Sequence, residues 1–292
     1  MTKLQESLQQ GRFTITGEIG PPKGVNVETC LKEASYLKDR VVAVNVTDNQ
    51  SSVMRIGSLG VCARLVQEGY EPIFQITCRD RNRLAIQSDI LSSYILGIRN
   101  ILALTGDHSS LGDHPQSKPV FDLDSVSLLM TINSLMNGKD LAGEELDGVP
   151  NDVFPGATVT PGADPIEPQL IKMEKKIEAG AKFFQTQAVY DPKVFENFMA
   201  QASKFNVPVL AGIVIIKSSG MAKYMNENVP GVFVPDSIIK ALTKAPKKKR
   251  ARKSIELMAE LIKEIKPMCQ GVHIMAMGWE RYVPDLLDAC DL

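Results

Sequence analysis

Six polar residues close short apolar runs: Glu18 in 13–19, Thr47 and Asp48 at the end of 41–48, Gln75 in 73–78, and Thr105 and Asp107 at the end of 101–107. Glu18 lies in Thr16-Gly17-Glu18-Ile19-Gly20-Pro21-Pro22, and Asp107 ends Leu102-Ala103-Leu104-Thr105-Gly106-Asp107. Either acid alone could simply cap a loop. Two carboxylates at one mouth, in differently solvated surroundings, can divide their work, one keeping a proton near neutral pH and the other staying charged. Such a pair suits proton transfer and the recognition of a nitrogen heterocycle.

Positioning these residues requires elements whose ends meet. Residues 12–19 read as a strand, followed by the Pro21-Pro22-Lys23-Gly24 turn, a helix over 27–37 and a second strand at 41–47. Strand 71–77 precedes helix 82–96, and strand 100–104 precedes helix 125–136. The second half gives strands 152–159, 182–188, 207–216 and 271–277. Its helices fall at 165–179, 192–203, 218–225, within 236–265 and at 280–289. Apolar residues at helical spacing alternate with β-rich runs, the pattern of repeated βα units on a parallel sheet. Eight strands favour an α/β fold of one (β/α)8 TIM barrel over 1–292, whose strand ends open on a shared face. An open doubly wound sheet is the alternative, because periodicity does not report closure. Long βα loops belong to the C-terminal face. The loop 108–120, rich in Ser, Gly, Asp, His and Pro, is expected there as a lid or wall, and 137–151 on the opposite face.

Composition narrows the chemistry. The chain has 292 residues, 44% hydrophobic, with a formal net charge of −1, so no overall field marks it for nucleic acid or membrane. Residues 1–10 lack the apolar stretch of a signal peptide, and no run of 18 apolar residues offers a membrane span, so a cytoplasmic protein is expected. Five dispersed cysteines without a CxxC pair read as reduced, packed thiols. No GxGxxG follows a strand, and neither a GxxxxGK[ST] loop nor an HExxH helix is present. With only His108, His114 and His273, no metal centre is expected, and His273, inside an apolar strand, reads as a hydrogen-bonded structural histidine.

Two basic features remain. In the helix after Pro165, Ile166, Leu170, Met173 and Ile177 form a core stripe, and Gln169, Lys172 and Lys176 share its shoulder. That shoulder is ordinarily a solvated edge, but at a barrel rim it could meet a phosphate or a ribityl chain. The run Lys247, Lys248, Lys249, Arg250, Arg252 and Lys253 lacks interleaved aromatics, so a solvated helix start is favoured, with protein docking second.

The ordered strand ends Thr16-Gly17-Glu18, Val46-Thr47-Asp48, Gln75-Ile76-Thr77-Cys78, Leu104-Thr105-Gly106-Asp107 and Phe184-Gln185-Thr186-Gln187 together resemble the methylenetetrahydrofolate reductases, flavin-bearing eight-stranded βα barrels. The resemblance spans nearly the whole chain. It implies reduction of 5,10-methylenetetrahydrofolate to 5-methyltetrahydrofolate, with Glu18 as the acid that protonates N10 of the folate and flavin N5 as hydride donor. It implies that Asp107 contacts flavin and pterin, and that Gln187 binds the pterin and, in turn, the nicotinamide donor. It places Thr47, Asp48, Gln50, Gln75, Thr105, Gly106, Asp107, Gly156, Thr160, Ala163, Gln169, Lys172, Lys175 and Lys176 at flavin contacts.

The pattern departs from the well-studied bacterial members at Ser219, where they carry an aromatic residue. It departs again in the last strand, His273-Ile274-Met275-Ala276-Met277-Gly278-Trp279, which lacks their usual arginine. In these departures the pattern more closely resembles the branch found in folate-dependent one-carbon pathways of anaerobes and in fused methyltransferases. FAD rather than FMN is the expected cofactor, NAD(P)H or a partner protein the electron donor, and a homo- or hetero-oligomer the expected assembly. The competing readings are a flavin-free pterin-binding barrel for methyl transfer, a lyase using the same carboxylates, and a non-catalytic subunit docking through 247–253.

Overall fold

The computed structural model describes residues 1–292. Its eight strands are β1 Thr14–Ile19, β2 Ala43–Val46, β3 Pro72–Thr77, β4 Asn100–Leu104, β5 Phe154–Val159, β6 Phe183–Ala188, β7 Val209–Val214 and β8 Gly271–Met275. Each pairs in parallel with the next, and β8 returns to β1 with Thr14 opposite Gly271 and Thr16 opposite His273, so the sheet closes into a barrel. The alternative of an open sheet is thereby removed. Strand ends lie within three residues of those read from the sequence.

Eleven helices surround the barrel: α1 Lys3–Gln9, α2 Glu28–Ser35, α3 Ser58–Gln67, α4 Arg83–Ile95, α5 Ser125–Met136, α6 Glu167–Glu178, α7 Pro192–Ala202, α8 Ser219–Asn228, α9 Asp236–Lys244, α10 Arg250–Ile265 and α11 Val283–Ala289. Two of them are unforeseen. The first, α1, is only seven residues long and is started by the Thr2 hydroxyl accepting from the Gln5 N–H. Its two apolar side chains, Leu4 and Leu8, are both buried. In α3, Val61, Cys62 and Leu65 form the buried stripe, and Gly60 inside the helix weakens its local signal.

Strand parity divides the interior. On each strand alternate residues face outward to the helices, as Ile15 and Ile19 do, and join one large apolar layer with Val44, Val46, Phe74, Ile76, Val272 and Ile274. The other parity faces the barrel axis. At its base, Ala43, Ile73, Leu102, Phe154, Phe183 and Leu210 pack with Leu4 and Leu8 of α1 into a second cluster. Phe154 and Phe183 stack there with ring centroids 5.3 Å apart. Gly156 makes this possible: a Cβ on it would sit 2.3 Å from the Phe183 ring. Further along β2, β3 and β6 the inward residues turn polar, to Asn45, Gln75 and Gln185.

In β6 the alternation breaks. Its register with β7 shifts between Gln185 and Ala188. The Thr186 hydroxyl accepts the Gly212 N–H at 2.9 Å, taking the place of a backbone carbonyl. This bulge turns Gln185, Thr186 and Gln187 all toward the mouth.

Candidate active site

The C-terminal face carries a cavity of about 370 Å³ whose apolar wall is confined to Leu102, Leu104, Val159 and Met275. Its size lies within the ~300–1,000 Å³ of small-molecule pockets, which are usually more apolar. Such a wall suits a ligand edged with donors and acceptors.

Glu18 is buried to 8% exposure at the end of β1. Its Oε2 receives Gln75 Nε2 at 3.3 Å and lies 3.3 Å from His273 Nε2, while Oε1 has no hydrogen-bond partner in the chain. Gln75 Nε2 also reaches Asn45 Oδ1 at 3.3 Å, and Asn45 Nδ2 lies 3.3 Å from both Gly17 O and His273 Nδ1. The Thr16 hydroxyl is 3.1 Å from His273 Nδ1 and 3.4 Å from Gln185 Nε2. Gln185 Oε1 is buried without a partner. A layer of amides, hydroxyl and imidazole therefore underlies the one buried carboxyl of the cavity that carries no arginine or lysine.

Asp48 is different. Its side chain is fully buried and is filled by the Thr77 N–H at 2.9 Å, the Thr77 hydroxyl at 2.8 Å and Arg81 Nη1 at 2.7 Å. Asp48 therefore anchors the turn after β2, in which Asn49, Ser51 and Ser52 all have positive φ. That turn is braced from above, since Gly112 lies so close that a Cβ would stand 1.7 Å from Ser52 O. Asp113 accepts from Lys23 Nζ at 2.6 Å, from the Met54 N–H at 2.9 Å and from His114 Nδ1 at 2.8 Å. These donors, Lys23 foremost, hold the Asp113 carboxyl well below the usual carboxylate range. The loop 108–120 thus acts as a buttress on the β2 turn. None of its residues lines the cavity; Asp107 just before it does.

Asp107 is exposed at the rim, and its carbonyl accepts from Arg79 Nη1 at 3.1 Å. Gly106 has φ +92°, and a Cβ there would press on Thr77 and Arg79 at 3.0 and 3.2 Å. Only glycine lets the chain turn so tightly between those side chains. Across the mouth, α6 presents Gln169, Lys172 and Lys176 to the cavity. Lys176 is 7% exposed and donates to Thr158 O at 2.7 Å. Burial, then the neighbouring Lys172 charge, lowers its pKa to about 8, against a small opposing pull from Asp124.

Of the residues singled out from sequence, Glu18, Asp48, Gln50, Gln75, Thr105, Gly106, Asp107, Thr160, Gln169, Lys172, Lys176 and Gln187 line this cavity. Thr47 lines an adjoining cavity of about 450 Å³ that shares Glu18 and Gln50. Gly156, Ala163 and Lys175 line neither cavity. Gly156 lies under Phe183, and Lys175 is exposed on the outer side of α6. His273, read as structural, is hydrogen-bonded and also reaches the site. Strand parity carried the signal, because Val272 and Ile274 face outward and send His273 inward beside Glu18. Asn45, between the outward Val44 and Val46, carries the same parity signal, whereas Arg81 had none, since its role depends on the distant Asp48. No group of three or more His, Cys, Asp or Glu side chains is arranged to hold a metal, and no helix is long and apolar enough to cross a membrane.

A closed (β/α)8 barrel with a buried carboxyl and convergent amides at its C-terminal mouth defines the class of barrels with a polar small-molecule pocket. The family described as methylenetetrahydrofolate reductase matches residues 3–291. "Methylenetetrahydrofolate reductase 2" of Schizosaccharomyces pombe is 30% identical over 226 residues, which span 73% of this chain and 34% of that protein. The 5,10-methylenetetrahydrofolate reductase of Pectobacterium carotovorum is 27% identical over 225 residues, 74% of this chain and 69% of its own length. This chain therefore spans about a third of the yeast relative and about two thirds of the bacterial one. In fold it is similar to an uncharacterised Clostridium thermocellum protein described as binding two copies of 5-methyl-5,6,7,8-tetrahydrofolic acid. That similarity has a TM-score of 0.63 at 16% identity, over 99% of this chain and 98% of that one. The chain belongs to the methylenetetrahydrofolate reductase family.

Proposed function

We propose that this chain reduces 5,10-methylenetetrahydrofolate to 5-methyltetrahydrofolate with a bound flavin, Glu18 being the general acid. The observation that carries this reading is the Glu18 carboxyl, buried at the cavity floor with Oε2 engaged and Oε1 free.

The residues present fit a flavin. Gln185 Oε1 is a buried acceptor without a donor in a wall otherwise made of amides and hydroxyls, which suits the donor and acceptor rim of a flavin or pterin ring. Lys172 and Lys176, with Gln169, would hold its ribityl and phosphate end, and FAD is the form we assign. Thr105, Gly106, Asp107 and the β2 turn at Gln50 would flank the ring. The flavin supplies hydride chemistry that no side chain offers.

The chain's own part is proton transfer and orientation. Glu18 gives its proton to N10, the C–N10 bond of the methylene bridge breaks, and the carbon is left as an iminium on N5 that accepts hydride. Asp107, exposed at the rim, is assigned to the pterin, and Gln187 to the pterin and then to the nicotinamide. Reducing equivalents come from NAD(P)H or from an electron-supplying protein, and assays with NADH, NADPH and artificial donors separate the two. We place the reaction in the cytoplasm, where the five buried free thiols stay reduced.

Purified protein is expected to be yellow, bleached by a reductant and reoxidised by methylenetetrahydrofolate. Glu18→Gln should keep flavin reduction by the donor and lose folate reduction. Equal loss of both half-reactions would remove Glu18 from the acid role, and a colourless protein that binds folate would favour the flavin-free alternative.

A further inference from the structure

We propose that His273 is a positioning residue that decides which oxygen of Glu18 carries the transferable proton: Oε2 is kept as an acceptor, and the proton resides on Oε1. The inference rests on the reading of Glu18 as the acid and adds to it a defined protonation geometry.

The assignment follows from donor and acceptor capacity around the ring. Gln75 Nε2 can only donate, and its two hydrogens are directed to Glu18 Oε2 and Asn45 Oδ1, each at 3.3 Å. With Oδ1 receiving, Asn45 Nδ2 is the donor, to Gly17 O and to His273 Nδ1 at 3.3 Å. The Thr16 hydroxyl receives Gln185 Nε2 at 3.4 Å and has its own hydrogen left for His273 Nδ1 at 3.1 Å. A ring nitrogen facing two donors is an acceptor. The imidazole is therefore neutral, and its hydrogen lies on Nε2, 3.3 Å from Glu18 Oε2.

Oε2 thus receives two N–H groups, from Gln75 and from His273. A hydroxyl hydrogen on that oxygen would compete with both donors for its lone pairs. Oε1 has no such donors, so the neutral carboxyl keeps its O–H on Oε1. In turnover the Oε1–H bond breaks as N10–H forms, and the new carboxylate retains both hydrogen bonds at Oε2. His273 is only 3% exposed, which keeps water from substituting for it.

Nitrogen-15 NMR of histidine-labelled protein, with His273→Gln to assign the signal among three histidines, reads the tautomer directly. A neutral ring with its hydrogen on Nε2 is expected. A hydrogen on Nδ1, or an imidazolium beside ionised Glu18, would overturn the proposal. In kinetics, His273→Leu should slow the folate half-reaction about tenfold to a hundredfold, less than the ~10²–10⁴ expected for loss of an acid. Flavin reduction by the donor should stay within about twofold, and His273→Gln, which restores an N–H toward Oε2, should recover most of the rate. Equal slowing of both half-reactions, or no recovery with Gln, would mark His273 as merely structural.

If His273→Leu does not fold, the tautomer in the wild-type protein still decides. The expected tautomer without folate turnover would sink the functional reading and leave the hydrogen-bond assignment intact. The wrong tautomer with full turnover would sink the assignment alone.

Discussion

The base and the mouth of the barrel interior are both built from inward-facing strand positions, and they differ in kind. At the base Ala43, Ile73, Phe154, Phe183 and Leu210 meet Leu4 and Leu8 of α1 in contacts between apolar groups. At the mouth the inward positions of β1, β3 and β8 and the end of β6 carry Glu18, Gln75, His273 and Gln187. A filled base holds the barrel closed, so the mouth can keep polar groups that stability alone would not favour. Substitutions at the base should change stability and leave the chemistry alone, and those at the mouth should do the reverse.

The sharpest test of that division is Glu18→Gln. It conserves shape at the mouth, so the thermal midpoint should shift little, while the folate half-reaction falls about 10²–10⁴-fold. A large fall in midpoint would mean that the carboxyl is chiefly structural, and the comparison would break there. Phe183→Ala is the converse. Removing a fully buried ring should cost about 3–5 kcal/mol in denaturant unfolding, with the rate per folded molecule unchanged. A rate loss larger than the loss of folded protein would show that base and mouth are coupled.

Asp48 and Arg81 sharpen the rule by being an exception within the mouth. Arg81→Met leaves a fully buried carboxylate with only the donors of Thr77, and breaking such a pair costs about 3–5 kcal/mol. Because Arg81 also binds Asp89 at 2.8 Å, the loss of order should extend toward α4. Hydrogen exchange should rise in the turn 48–52 first. If stability is unchanged and only flavin affinity falls, Asp48 is a ligand contact and not an anchor.

How far these roles could be read from sequence depends on how local each one is. Strand ends are local: an apolar run with alternating parity ending in Glu18 or Asp107 declares itself, and so do the lysines that helix geometry groups on α6. The helices α1 and α3 were missed because seven residues with two leucines, or ten with Gly60 inside, carry little periodic signal. His273 could be placed on its strand but not in its role, since its partners Thr16 and Asn45 are 257 and 228 residues away. Asp48 looked like a ligand contact by its position, and only the fold reveals that Thr77 and Arg81 already occupy it. Gly156 had the same ambiguity, and the ring of Phe183 accounts for it.

The smallest expected effect, at Lys176, tests the claim that the mouth holds groups at the expense of stability. Its pKa is lowered by burial to about 8, so in the folded, ligand-free protein the charged form is disfavoured relative to the unfolded chain. Below about pH 8 both states hold the proton, and the native state bears the full cost of a buried ammonium. Above that pH the folded protein loses the proton while the unfolded chain keeps it up to its ordinary value, so stability should rise with pH across this window. The gain is a few kcal/mol at most, at about 1.4 kcal/mol per pKa unit. Lys176→Met should therefore raise the midpoint of the flavin-free protein at pH 7 and flatten its rise between pH 8 and 10. The same change should weaken flavin binding about tenfold, as expected for one lost charge contact to a phosphate. A variant that is less stable at pH 7 and keeps the pH slope would show that the lysine belongs with the base, as a structural group, and not with the mouth.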